Sequence, residues 1–99
     1  MGRELIISEE AEADLEDIWD YIADDSPLNA DRFIGEIYRK CLNIKVLDGI
    51  GRPRDELSDG LFSIPHKKYM IFFLRNDECV SIARILRASR DIESQFEAE

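Results

Sequence analysis

The chain has 99 residues, 44% hydrophobic and 35% charged, with a formal net charge of −9, which suits one small soluble domain with a thin core. No stretch approaches the roughly 20 apolar residues of a membrane helix, and the opening MGRELIIS is too short and too charged for an export signal. Cys41 and Cys79 lack partners at metal-ligand spacing, so both read as buried thiols in a reducing cytoplasm, with no metal or cofactor expected.

Glu4–Ile7 is a short apolar run and predicts a strand. Ser8 then offers a helix N-cap, and Glu9 and Glu10 suit the positive end of the helix dipole. Ala11, Leu15, Ile18, Trp19 and Ile22 recur at helical spacing and form one apolar face, with Glu12, Asp14, Glu16, Asp17 and Asp20 on the rest of the surface. Asp24-Asp25-Ser26-Pro27 ends this helix and starts another, with Ser26 as N-cap and Pro27 at the first helical position. Ala30, Phe33, Ile34, Ile37, Cys41 and Ile44 form the second apolar face. Gly35 sits mid-helix at a cost of about 1 kcal/mol relative to Ala, which close approach to the first helix would justify.

A polar loop runs from Gly49 to Gly60. Leu61–Ile64 reads as a short strand stopped by Pro65, Tyr69–Leu74 as a central strand apolar on both faces, and Arg75–Glu78 as a hairpin loop. Val80–Leu86 is a last strand with imperfect alternation, and Ser89–Phe96 a short terminal helix or a tail. The order is β-α-α-β-β-β, which predicts an α+β fold with a helical hairpin on one face of a mostly antiparallel sheet.

The charge is uneven. Residues 1–36 carry 12 acids and two bases, whereas residues 37–90 carry 11 bases and six acids. The basic groups collect in two strings, GRPRD with Arg52 and Arg54, and RILRASRD with Arg84, Arg87 and Arg90; Lys67 and Lys68 lie between them. An acidic total argues against binding free DNA but leaves room for a local anion-binding face, for which the planar guanidinium fork is suited. The plainer alternative has Arg84 anchoring a loop carboxylate such as Asp55 or Glu56, with Arg87 and Arg90 solvated; separately, Arg90 and Asp91 are placed for a local ion pair.

The strings EAEADLEDIWDYIADDSPLNADRFI, GIGRPRDEL, LFSIPHKKYMIFF and ARILRASRDIESQF, in this order and spacing, resemble the ParE branch of the RelE/ParE (plasmid-stabilisation) toxins of type II toxin–antitoxin systems. The resemblance implies a small α+β sheet packed on a helical hairpin, and a cytoplasmic bacterial toxin neutralised by a cognate antitoxin. ParE-type members typically poison DNA gyrase, whereas RelE-type members cut mRNA in the ribosome. RNA cleavage needs groups that take and give a proton beside the cations. His66 is the sole histidine, the tyrosines lie far upstream of the last arginines, and arginine stands at position 87, where ParE-like sequences often carry histidine. Arginine stays protonated and shuttles protons poorly. No catalytic residue is therefore assigned, and inhibition by binding is the leading expectation. An mRNA endonuclease and a non-toxic antitoxin-binding member are the alternatives. The expected binding residues are Arg52, Arg54, Lys67, Arg84, Arg87 and Arg90 on a basic face. An antitoxin groove between the second helix and the sheet is expected to be lined by Phe33, Ile37, Phe62 and Ile64.

Overall fold

The Ser8 side chain accepts a hydrogen bond from the Ala11 N–H at 3.0 Å, and Ser26 does the same for Asn29 at 3.2 Å. These two local caps start the two long helices, as the sequence predicts. A computed structural model describes residues 2–89 and 91–96. The elements are β1 (Glu4–Ile7), α1 (Glu9–Ala23), α2 (Pro27–Val46), β2 (Arg52–Pro53), β3 (Phe62–His66), β4 (Tyr69–Arg75), β5 (Cys79–Arg87) and α3 (Ile92–Gln95). Among the described residues no helix is long and apolar enough to cross a membrane.

The strands form one sheet in the order β1-β5-β4-β3-β2. All neighbouring pairs are antiparallel except β1 with β5, which is parallel. The α+β expectation holds, with two additions. β2 is a two-residue strand inside the expected loop, paired with Phe62 and Ser63. β3 runs on to His66 and includes Pro65. Beyond Ser63 the β2 side of β3 is an uncovered edge, where a missing N–H is tolerated.

The main core lies between the helical hairpin and one face of the sheet. Ala11, Leu15 and Ile18 of α1 and Ile37, Cys41 and Ile44 of α2 meet Ile71, Phe73, Val80, Ile82 and Ile85. Burial pushes the Cys41 thiol up to about 11. Cys79 is only half-buried, because it opens β5 at the end of the sheet. A smaller cluster of Leu61, Phe72 and Leu86 covers the other face, closed by Leu57, Met70, Ala83, Ile92 and Phe96. The imperfect alternation of β5 has a structural cause. Phe72 pairs with Arg84 but Phe73 pairs with Ile82, so Ala83 is an extra residue and the strand bulges there. The bulge shifts the period by one, which lets both Ile82 and Ile85 face the helices while Leu86 faces away.

Two glycines behave differently from each other. Gly35 is not at a close helix contact: a Cβ there meets only the Arg39 guanidinium, at 3.7 Å. Gly51 has φ +101°, and a Cβ there falls 2.7 Å from Cζ of the fully buried Phe73. Gly51→Ala therefore meets both backbone strain and an immovable ring, and should cost about 2 kcal/mol or more in urea denaturation. Gly49→Ala serves as the control: its φ is +74° with nothing within 4 Å of the added Cβ, so it should cost only about 1 kcal/mol. Equal losses in the two variants would mean that the ring yields.

Candidate functional site

The fold divides the expected basic face into separate places. Arg54 lies beside β2 and donates to Glu56 at 2.8 Å and to Ser63 at 3.2 Å, with its guanidinium over the Phe72 ring at 5.7 Å. Arg52 is exposed on β2. Lys67 and Lys68 form the two-residue turn between β3 and β4, and the Ala88 N–H donates to the Lys68 carbonyl at 2.8 Å. That bond draws the end of β5, and with it Arg87, to the lysine turn. Arg90 lies outside the described residues.

Arg84 is already committed within the chain. Its Nε and Nη2 donate to the two carboxylate oxygens of Asp14 at 2.8 and 2.9 Å, and the Ile85 N–H donates to the same carboxylate at 2.9 Å. An intramolecular carboxylate is what the plainer reading expected, but the partner is Asp14 on α1 and not Asp55 or Glu56. Asp55 instead accepts from the Gly60 N–H, and Glu56 from Arg54. Asp14 is thus buried, in contrast to its place on the solvated face of a helical pattern. β1 covers β5 only from Cys79 to Ile82, so beyond that point α1 lies along the strand edge and Asp14 meets its free N–H. The carboxylate raises the affinity of Arg84 for its proton above the usual arginine range.

Arg87 has a different setting. Its guanidinium lies over the Tyr69 ring at 5.8 Å, and it makes no ion pair among the described residues. Two adjoining hollows of about 370 and 280 Å³ share Tyr21, Tyr69 and Arg87 in their walls. Asp14 and Asp17 line the first, and Phe33, Lys67 and Lys68 the second, so the combined cleft is acidic at one end and basic at the other. Tyr21 is 68% exposed, whereas Tyr69 is nearly buried, with its ring 5.4 Å from Phe33. Lys67 has φ +55° and is the one non-glycine residue with positive φ among those described. A two-residue hairpin calls for this conformation, which is costly for a side chain other than glycine. The backbone of Arg87 also matters. Ile85 donates away from β4 and Ala88 donates toward it. By strand alternation the Arg87 N–H points to the outer edge of the sheet.

The four residues expected to line an antitoxin groove all belong to or pack against the main core. Ile37 is fully buried, and Phe33, Phe62 and Ile64 are half-buried against the same core. Phe62 stacks on Phe73, with Arg75 4.8 Å above its ring. Of the four, Phe33 reaches the cleft.

His66 packs against Phe33 and donates from Nε2 to Glu36 at 2.9 Å, while the Lys67 ammonium lies 3.0 Å from the same oxygen. The hydrogen bond from His66, then that from Lys67, holds the Glu36 carboxyl below its ordinary value of 4.5. A lowered folded-state pKa contributes stability that is present above 4.5 and lost as the pH falls through the folded value. Wild type should melt above Glu36→Gln at neutral pH, and the gap should close in stronger acid. A gap independent of pH would show that the carboxylate charge contributes nothing.

Sequence order concealed part of this site. Tyr21, Tyr69 and Asp17 carry no mark in the sequence as site residues, because they stand far from Arg87 along the chain. The alternation of β4 places Tyr69 on the helix face with Ile71 and Phe73, and that was the available signal.

A family model described as the ParE toxin of the type II toxin–antitoxin system, parDE, matches residues 5–92. No curated protein matches the sequence. Among solved structures, a chain described as the chromosomal ParDE TA system from P. aeruginosa superposes with a TM-score of 0.75 at 23% identity, over 86% of this chain and 95% of that one. At that identity the likeness speaks for the fold.

Proposed function

We propose, since the chain belongs to the ParE toxin family of type II toxin–antitoxin systems, that it inhibits DNA gyrase by binding and that its cognate antitoxin neutralises it at the cleft around Arg87. The observation that carries this reading is the convergence of Lys67, Lys68 and Arg87 on two tyrosines at the end of β5 that β1 leaves unpaired. Arginine and lysine side chains there suit carboxylates or phosphates, the tyrosine rings suit an apolar or planar group, and the edge backbone suits an extended segment. An antitoxin segment with acidic residues beside the β5 edge would use all three. Arg84 has a structural part in this reading, as has Arg54, which is held by Glu56 and Ser63, and exposed Arg52 is left for the target.

A second reading, a ribosome-dependent mRNA endonuclease, gains one observation. Tyr21 and Tyr69 stand beside cations, so a phenol is available where proton transfer to or from RNA would require one. Purified protein should be added to gyrase supercoiling and DNA-cleavage assays, and in parallel to ribosomes translating a defined mRNA. Inhibited supercoiling with accumulated cleaved DNA, relieved by one equivalent of antitoxin, is expected. Cut mRNA with untouched gyrase would replace the first reading by the second. Antitoxin binding without either activity would identify a non-toxic member.

A further inference from the structure

The two hollows around Arg87 are lined by different chemistry. Ile18, Ile85 and Leu86, all buried, form an apolar floor in the first, and exposed Asp17 stands on its α1 side. Lys67 and Lys68, from the turn between β3 and β4, stand in the wall of the second. Tyr21, Tyr69 and Arg87 belong to both walls, so the hollows meet there. Volumes of about 370 and 280 Å³ suit a small organic molecule that lies across both.

The charged groups of the cleft are not equally engaged. Asp14 accepts from Arg84 and from the Ile85 N–H, and the Lys67 ammonium lies 3.0 Å from Glu36. Asp17, Lys68 and Arg87 make no ion pair among the described residues. The cleft thus offers an unused carboxylate at one end and two unused cations at the other. A ligand that satisfies both ends carries N–H donors on one side and an anion on the other. A phosphate monoester, with about −1.5 to −2 charge near pH 7, matches two cations. An ionised carboxylate only accepts, through two oxygens, and the adjacent ring N–H and amino group of guanine present donors to both. Between the two ends a planar ring has a place: Tyr21 is 68% exposed and can close over the apolar floor, whereas Tyr69 is nearly buried beneath Arg87. A long polyanion fits less well. α1 carries exposed Glu9, Glu10, Glu12, Glu16, Asp17 and Asp20 and no basic residue, and a strand that runs on past the floor meets like charge.

We propose that the cleft binds a free purine nucleoside monophosphate with a preference for guanine. The base lies on the Ile18 and Leu86 floor beneath Tyr21 with its donor edge at Asp17, and the phosphate lies at Lys68 and Arg87. This ligand does not depend on which protein the cleft binds. The test titrates the intact protein with 5′-GMP by calorimetry and by amide chemical shifts. Saturable binding with shifts centred on Asp17, Tyr21, Lys68 and Arg87 is expected. Guanosine and inorganic phosphate each supply one end only and should bind at least tenfold more weakly. UMP should do the same, because its ring N–H is flanked by two carbonyls that face the carboxylate. Asp17→Ala should weaken GMP at least tenfold and leave inorganic phosphate unchanged, whereas Lys68→Gln should weaken both. Thermal melts should not move, since both side chains are exposed. GMP that binds no better than inorganic phosphate, or wild-type GMP affinity in both variants, overturns the proposal. A guanine-containing tetranucleotide that binds tenfold more tightly than GMP also overturns it, because the cleft would then hold a strand and not a free nucleotide.

Discussion

Asp14→Ala should destabilise the protein by about 3 kcal/mol, the low end for breaking a buried ion pair. The substitution removes the acceptor of two Arg84 hydrogen bonds and of the Ile85 N–H. The low end applies because the Arg84 side chain is 24% exposed, and water compensates it in part. In a domain of this size such a loss lowers the melting temperature by roughly 12–24 °C. Arg84→Gln should cost a similar amount, because it strands a carboxylate that is only 11% exposed. The cycle with Asp14→Leu and Arg84→Met combined is the sharper measurement. An apolar pair removes both charges together, so the double variant should regain part of what either single variant loses. It cannot regain all of it, since the Ile85 N–H still lacks its acceptor. Losses under 1 kcal/mol in both single variants would show that α1 and the end of β5 are held by packing and not by this pair.

Arg87→Gln should do the reverse, leaving the melt nearly unchanged and weakening partner binding. Arg87 makes no ion pair among the described residues and is half-buried over Tyr69. A surface change of this kind costs about 0.5 kcal/mol or less of stability. Loss of a charged contact that becomes buried in a complex costs about 2–5 kcal/mol. The expected result is at least a tenfold loss of affinity for antitoxin or gyrase, about 1.4 kcal/mol. Titrations at low and high salt, with melts alongside, check it. Wild-type affinity for both partners would remove Arg87 from the binding surface. The contrast between Arg84 and Arg87 matters most: three residues apart, one is expected to act through stability and the other through recognition.

Much of the architecture is local and was legible. Ser8 and Ser26 cap their helices through bonds to residues three positions on, so their neighbours alone specify them. The core faces of both helices follow from 3.6-residue spacing, and the hairpin at Asn76 from a side chain that accepts from the Glu78 and Cys79 N–H groups. The family likewise follows from the order and spacing of strings that span the chain.

What the sequence could not reveal depends on distant partners. Asp14 and Arg84 are 70 residues apart; a carboxylate on the helical pattern reads as solvated until a strand edge is laid beside it. Trp19 belongs to the apolar face by spacing, yet is partly exposed, because α2 covers only one side of it. Tyr21, Lys67, Tyr69 and Arg87 come from α1, the β3–β4 turn, β4 and β5, and meet only because β4 starts where β5 ends, beside α1. Strand order is of the same kind. The four residues of β1 pair in parallel with β5, across nearly the whole chain, and a short apolar run carries no mark of which edge will accept it. The sequence by itself determined the two long helices, four of the five strands and the family, because those rest on near neighbours and on period. The tertiary structure decided the partners of Arg54, Arg84 and Arg87, since a guanidinium binds whichever carboxylate or ring the fold brings within about 3 to 6 Å.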